Sequence, residues 1–195
     1  MSAPIFAEAV VATQTKMRQT IDPSANIRIY RTLNDNLIET ILKVDAYKFR
    51  QELRYRREEV IEHSKMPGFI LITAETGGQP LGLVYGYDET DGGFFLDTLA
   101  SMVEGRGIGH TLATLITIHA ENTRHTHVTL YTEEEDEMGR RLRQFYQRMG
   151  YAYIGTQPEG DVMVMEITST TTMGLFTRYV TGVYVPMPAP IPIPA

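Results

Sequence analysis

The chain has 195 residues, 43% hydrophobic and 22% charged, with a formal net charge of −6. That is enough apolar sequence for one globular domain with a sizeable core, and the negative balance argues against general nucleic-acid binding. The absence of cysteine excludes disulfides, zinc–thiolate sites and a thiol nucleophile.

The opening MSAPIFAEAVVATQ lacks the basic start of a signal peptide, and Glu8 interrupts its apolar run. No stretch has the apolar length of a membrane span, so a soluble cytoplasmic protein is expected. Residues 3–20 read as a helix in which Ile5, Ala9, Ala12 and Lys16 make no strong apolar stripe, hence an accessory arm over 1–25. After the turn-rich IDPSAN, Asn26 to Leu33 alternates like a strand. Asn34 or Asp35 caps a helix with Leu37, Ile38, Ile41, Leu42 and Val44 at helical spacing. A more charged helix is expected from Arg50 to Ser64, ended by Pro67-Gly68.

Three strand segments follow, Gly68 to Thr76, Pro80 to Glu89 and Phe94 to Met102, joined by the turns GGQ and DGG. The loop VEGRGIGHTL (Val103 to Leu112) opens a helix with Ile108, Leu112, Leu115, Ile116 and His119 on its apolar stripe. His127 to Glu134 is a strand, Met138 to Met149 a helix stopped by Gly150, and YAYIGTQ and VMVMEITS are closing strands around a PEGD turn. The predicted fold is a mixed, three-layer α+β domain over 26–169, with a mostly antiparallel central sheet and helices on both faces. Residues 170–185 add one strand-like segment, FTRYVTGVYV (Phe176 to Val185), whose apolar edge suggests pairing across a homodimer. The tail 186–195, with proline at every second position, is expected to be extended or disordered.

The glycine loop fits neither common nucleotide motif. A P-loop needs Lys after its last glycine, where His110 stands, and G-x-G-x-x-G fails at His110 from Gly105 and at Leu112 from Gly107. What remains is a strand that runs through glycines into a helix N-terminus, where free N–H groups and the dipole favour an anion. A tight turn with glycine for packing reads equally well from spacing alone. His125 and His127 fall on one face of a strand, but two histidines without a third ligand do not make a metal site, and no metal is expected.

Strand, EGRGIG, helix, strand, then a helix ending QFYQRMGY: this order resembles the GNAT superfamily of acyl-CoA N-acyltransferases. Gly107-Ile108-Gly109 supplies the end of the family's loop motif. Tyr146, Gly150 and Tyr151 match the family's Tyr four residues before a Gly-aromatic pair. The resemblance covers about Asn26 to Ser169. It departs at Glu104, which occupies a Gln/Arg position beside the expected pyrophosphate, at Ser101 in place of a proline, and at Gly139 in place of an asparagine.

The resemblance implies transfer of an acetyl group from acetyl-CoA to a primary amine by direct attack in a ternary complex, without a protein nucleophile. The implied cofactor site is the loop Glu104, Gly105, Arg106, Gly107, Ile108, Gly109 and His110, where Arg106 offsets Glu104, together with the strand segment Leu99, Ala100 and Ser101. Tyr146 is the implied general acid for the leaving thiolate, since a phenol keeps its proton at neutral pH. Asp97, Glu133 and Glu134 are the available carboxylates for the amine's proton. The acidic run Thr132 to Glu137 suits a cationic acceptor such as a polyamine, aminoglycoside or lysine. A protein or peptide N-acetyltransferase is the alternative enzyme, and a catalytically weak partner-binding module of the same fold is the third reading.

Overall fold

The computed structural model describes residues 4–136 and 141–182. One seven-stranded sheet organises the chain. Its strands are β1 (Asn26–Tyr30), β2 (Ile70–Thr76), β3 (Gln79–Asp88), β4 (Phe94–Ser101), β5 (His127–Thr132), β6 (Ala152–Gln157) and β7 (Gly160–Glu166), in the order β1-β2-β3-β4-β5-β7-β6. Every pairing is antiparallel except β4 with β5. The near-continuous apolar run Ile70 to Ala74 is buried on both faces, as a strand covered by helices on each side must be.

The helices are α1 (Phe6–Thr20), α2 (Asp35–Lys48), α3 (Arg57–His63), α4 (Ile108–Asn122), α5 (Leu142–Met149) and α6 (Ser169–Leu175). One face of the sheet packs against α4, whose Leu112, Leu115 and Ile116 join Ile70, Ile72, Val84, Phe94 and Leu96 in the larger core. On the opposite face, Ile38, Ile41 and Val44 of α2 and Val60 of α3 meet Leu71, Leu83 and Tyr85. Asn34 caps α2 as expected, its side-chain oxygen accepting from Leu37 N at 2.9 Å.

Three expectations change. The N-terminal segment is a helix, as read over 3–20, but it does carry a buried stripe that packs into the core. Ala9, Thr13 and Met17 are buried at four-residue steps against α4, and Gln14 Oε1 accepts from Ile27 N of β1 at 3.1 Å. Small side chains let the two helices approach closely, so a search for large apolar residues misses the stripe. The helix drawn from Arg50 to Ser64 is a 3₁₀ turn (Gln51–Leu53) followed by α3, because Arg54 and Arg56 are extended and Glu59 Oε2 accepts from Arg56 N at 2.6 Å to start a new helix.

The strand drawn from Phe176 onward is not a strand. Thr168 accepts from Thr171 N and caps α6, which continues into a π-helical turn, Phe176–Thr181, packed on α1 and α4. Leu175 and Val180 are buried there, and tertiary packing overrides the β propensity of the β-branched residues. The edge that suggested strand pairing across a dimer therefore does not exist over 176–181. The start of the helix drawn from Met138, including Gly139, lies outside the described residues, as do the end of the strand drawn to Val185 and the proline tail.

Candidate active site

The ladder between β4 and β5 is short. It holds Phe94 against Val128 and Phe95 against Thr129 and then stops, although β4 runs on to Ser101 and β5 to Thr132. From Leu96 onward the β4 edge toward β5 has no strand partner among the described residues, so its backbone groups need another one. On its other edge β4 carries a bulge: Tyr85 pairs with Thr98 and Gly86 with Leu96, and Asp97 is passed over. A bulge re-aims the side chain of its extra residue. The predicted segment Leu99, Ala100 and Ser101 lies just beyond, with Leu99 partly and Ala100 fully packed in the core.

Past β4 the chain enters the glycine loop. Ser101 Oγ donates to Val103 O at 2.8 Å, and Gly107 caps α4 in the left-handed conformation at φ +75°. A side chain there meets open space, so the backbone angle and not crowding calls for glycine. The first intrahelical bond runs from Thr111 N to Gly107 O at 3.0 Å, which leaves the amides of Ile108, Gly109 and His110 at the helix entrance. Open backbone at Gly105 and Gly107 beside these donors fits an anionic group.

Charge around the loop differs from the sequence reading in a helpful way. Glu104 is exposed and lies 3.5 Å from Lys48 Nζ of α2, which places a positive charge beside it. Arg106 is exposed, and Arg148 and Arg178 act electrostatically on His110. Burial, then those two arginines, lowers His110 to about 4, so its ring is neutral at pH 7 and stacks on Tyr179 at 4.7 Å.

α5 is anchored on this loop. Phe145 lies on His110, with centroids 4.3 Å apart, and meets Tyr146 edge-on at 5.0 Å. Tyr146 is therefore two ring contacts from the start of α4. It is 8% exposed, and burial raises its phenol well above the ordinary value, so the hydroxyl keeps its proton.

The two leading carboxylates part company. Glu133 is bound by Arg50, and Glu134 and Glu135 lie 3.6 Å from Arg143 and Arg141, so the acidic run is largely spent on arginines. Asp97 sits in a buried polar cluster on the α2–α3 side of the sheet. Its side chain is 1% exposed. Its Oδ2 accepts from Tyr87 Oη at 2.9 Å and its Oδ1 from Thr98 Oγ1 at 3.1 Å. His63 Nδ1 is 3.1 Å from Oδ2. Tyr55 and Tyr85 face the same carboxylate, and buried Asp45 completes the group.

Desolvation first, then the nearby Asp97 charge, raises Asp45 to about 6, with a hydrogen bond from Tyr55 N opposing the shift. Two buried polar atoms in this cluster, Asp45 Oδ1 and His63 Nδ1, have no hydrogen-bond partner among the described residues. Sequence reasoning found Asp97 but missed Asp45, Tyr55, His63 and Lys48. These come from α2, α3 and the link between them and carry no local motif. On the other side, His127 has Asp91 at 3.3 Å and Glu89 close by, their ligand atoms within 4.8 Å of one another, while His125 pairs with Asp88 at 3.0 Å. Asp91 Oδ1 accepts from Gly93 N at 2.9 Å, so this trio closes the β3–β4 turn onto β5.

The family model described as "Acetyltransferase (GNAT) family" matches residues 34–151, more than half of the chain. The chain belongs to the GNAT acetyltransferase family. As a GNAT protein it is an acyl-CoA-dependent N-acetyltransferase, and acetyl-CoA is its cofactor.

Solved structures agree in fold. The PaiA N-acetyltransferase from Thermoplasma acidophilum, in complex with coenzyme A, is 16% identical with a TM-score of 0.58, covering 73% of this chain and 99% of that one. The aminoglycoside 6′-N-acetyltransferase from Enterococcus faecium is 16% identical with a TM-score of 0.61, covering 73% and 97%. The ribosomal-protein-S18-alanine N-acetyltransferase from Escherichia coli is 10% identical with a TM-score of 0.58, covering 73% and 94%. No curated protein sequence matches the chain. Among the described residues, no helix is long and apolar enough to cross a membrane.

Proposed function

We propose that this GNAT enzyme acetylates a primary amine of a small cationic molecule, and that the amine enters through the Asp97 cluster. The observation that carries this reading is a buried carboxylate walled by aromatic rings, at the bulge of the strand that borders the β4–β5 opening. An ammonium group is what such a cluster favours, by charge and by the faces of its rings.

Acetyl-CoA supplies the acetyl group as a thioester. The amides of Ile108, Gly109 and His110 hold its pyrophosphate, with Arg106, Arg148 and Arg178 supplying positive charge around the loop. The unpaired edge of β4 through Leu99, Ala100 and Ser101 aligns the extended arm by strand-like hydrogen bonds. Tyr146 keeps its phenol proton for the departing sulfur. Asp97, and not arginine-bound Glu133, is the carboxylate that draws the ammonium in. Lys48 Nζ, 3.5 Å from Glu104, supplies a positive charge beside the one carboxylate of the loop and so supports an anion there.

The test is thiol release from acetyl-CoA in the presence of a polyamine, an aminoglycoside, free lysine and a peptide with a free N-terminus. Turnover with the small polycations and little with the peptide is expected. Preference for the peptide would overturn the acceptor assignment, and no turnover with any amine would favour the partner-binding module.

A further inference from the structure

We propose that His63 is the general base of the reaction, accepting the acceptor ammonium's proton at Nε2 while buried Asp97 fixes its tautomer through Nδ1. The inference rests on the acceptor site proposed above. It assigns the proton to a residue outside the glycine loop, β4 and α5.

His63 is the last residue of α3, and its ring reaches back over the sheet. It is 3.1 Å from Asp97 Oδ2 through Nδ1, yet that contact is out of line for a hydrogen bond. Catalytic contacts of this kind are often misaligned in a ligand-free protein and tighten when substrate binds. Exposure separates the two residues. The His63 side chain is 23% exposed and the Asp97 side chain 1%. The imidazole is thus the member of the pair that solvent reaches, and the carboxylate is buried beside it.

The ring is held by its neighbours. Tyr55 stands edge-on at 4.8 Å, Tyr87 is tilted at 5.6 Å and Tyr85 at 6.5 Å. The titratable and charged groups facing this ring and its carboxylate are Asp97 from β4, Tyr85 and Tyr87 from β3, Asp45 from α2, and Tyr55 from the link before α3. Arg54 acts on Asp45, and Glu59 of α3 acts on Tyr55. The tyrosines are held protonated by burial first, so none competes as a base near neutrality.

The roles then follow from chemistry. A neutral imidazole carries a nitrogen lone pair that can accept a proton. A carboxylate at Nδ1 places the ring proton there, leaves the Nε2 lone pair bare, and stabilises the imidazolium that forms. The ammonium N–H bond breaks, its proton passes to Nε2, and the nitrogen keeps the electron pair with which it attacks the thioester carbon. As the C–S bond breaks, the sulfur takes a proton from Tyr146, and the tyrosine is replenished by the second proton shed from nitrogen. The proton on His63 then leaves to solvent, so each turnover yields one amide, one free thiol and one released proton.

The test has two readouts. First, His63→Ala is predicted to lower kcat at pH 7 about a hundredfold, with the KM for acetyl-CoA unchanged. Its rate should continue to rise with pH where that of the parent enzyme levels off. Added imidazole should restore at least a tenth of the parent rate to His63→Ala but not to the larger His63→Gln. A kcat within twofold of the parent, or a loss that imidazole does not repair in a variant that still binds CoA, would overturn the proposal.

Second, the ¹⁵N spectrum of imidazole-labelled protein at pH 8 should show His63 protonated at Nδ1 in the parent and redistributed in Asp97→Asn. An Nε2–H tautomer in the parent would overturn the proposal whether or not an acceptor has been found. Absence of turnover by the parent protein would instead count against the acceptor reading.

Discussion

Tyr146 shows what one residue does in this site and what it does not. It is a core tyrosine by burial and a proton holder by chemistry, and the two descriptions are compatible because burial is what keeps its proton on. Tyr146→Phe removes one oxygen and little packing. Steady-state rates should fall ten- to hundredfold in kcat, while calorimetric acetyl-CoA binding stays within twofold. Equal losses in both would make the tyrosine structural.

Asp45 offers a stability test at the same scale. Its folded pKa of about 6 lies above the ordinary carboxylate value, so the folded state favours the proton. The associated stability is present below about pH 4 and lost as pH rises through 6. Asp45→Asn should therefore stabilise the protein by about 1–2 kcal/mol at pH 8 and by little at pH 4, read from urea midpoints. The sequence could not reveal this. Asp45 looks like one more polar residue near the end of α2 until Tyr55 and Asp97 are folded against it.

Among the elements, α4 concentrates the predictions. Its entrance was legible because glycine has few reasons to cluster before an apolar helix, and Gly107 indeed adopts a left-handed cap. Gly107→Ala should cost about 1 kcal/mol of stability and weaken CoA binding severalfold, measured by thermal melting and calorimetry. Further along the helix, burial first and then Arg31 lower His119 to about 3, and Arg31 Nη1 lies 3.2 Å from its Nε2.

A depressed histidine stabilises fully above the unfolded value near 6.5, and that stability drains as pH falls toward the folded value. Between pH 7.5 and 5, His119 alone should cost the fold about 1–2 kcal/mol, with His110 adding in the same direction. His119→Gln should flatten the slope of urea midpoint against pH. Elements that failed to read from sequence failed for long-range reasons. The π-helical turn Phe176–Thr181 is rich in strand formers, but Val180 is buried and Tyr179 stacks on His110, contacts that only the folded chain provides. Arg54 to Arg56 looked helical because charged residues break no pattern.

For the whole molecule, the element order and the two motifs point to the family from the sequence alone, because a strand–glycine loop–helix and a Tyr-x-x-x-Gly-Tyr helix end are local features. The acceptor side was not legible in the same way. Asp97 is legible on β4, whereas its partners His63, Tyr55 and Asp45 arrive from α2, α3 and their link, and Lys48 comes from α2 to lie 3.5 Å from Glu104. In the proposed arrangement the α4 entrance takes the pyrophosphate, and the free edge of β4 that leads to it takes the extended arm.

Isothermal titration of the purified protein with acetyl-CoA, CoA and NADH tests that arrangement most directly. The prediction is one site per chain, micromolar for both CoA species, with no heat from NADH. Failure of both CoA species to bind, or equal binding of NADH, would contradict it.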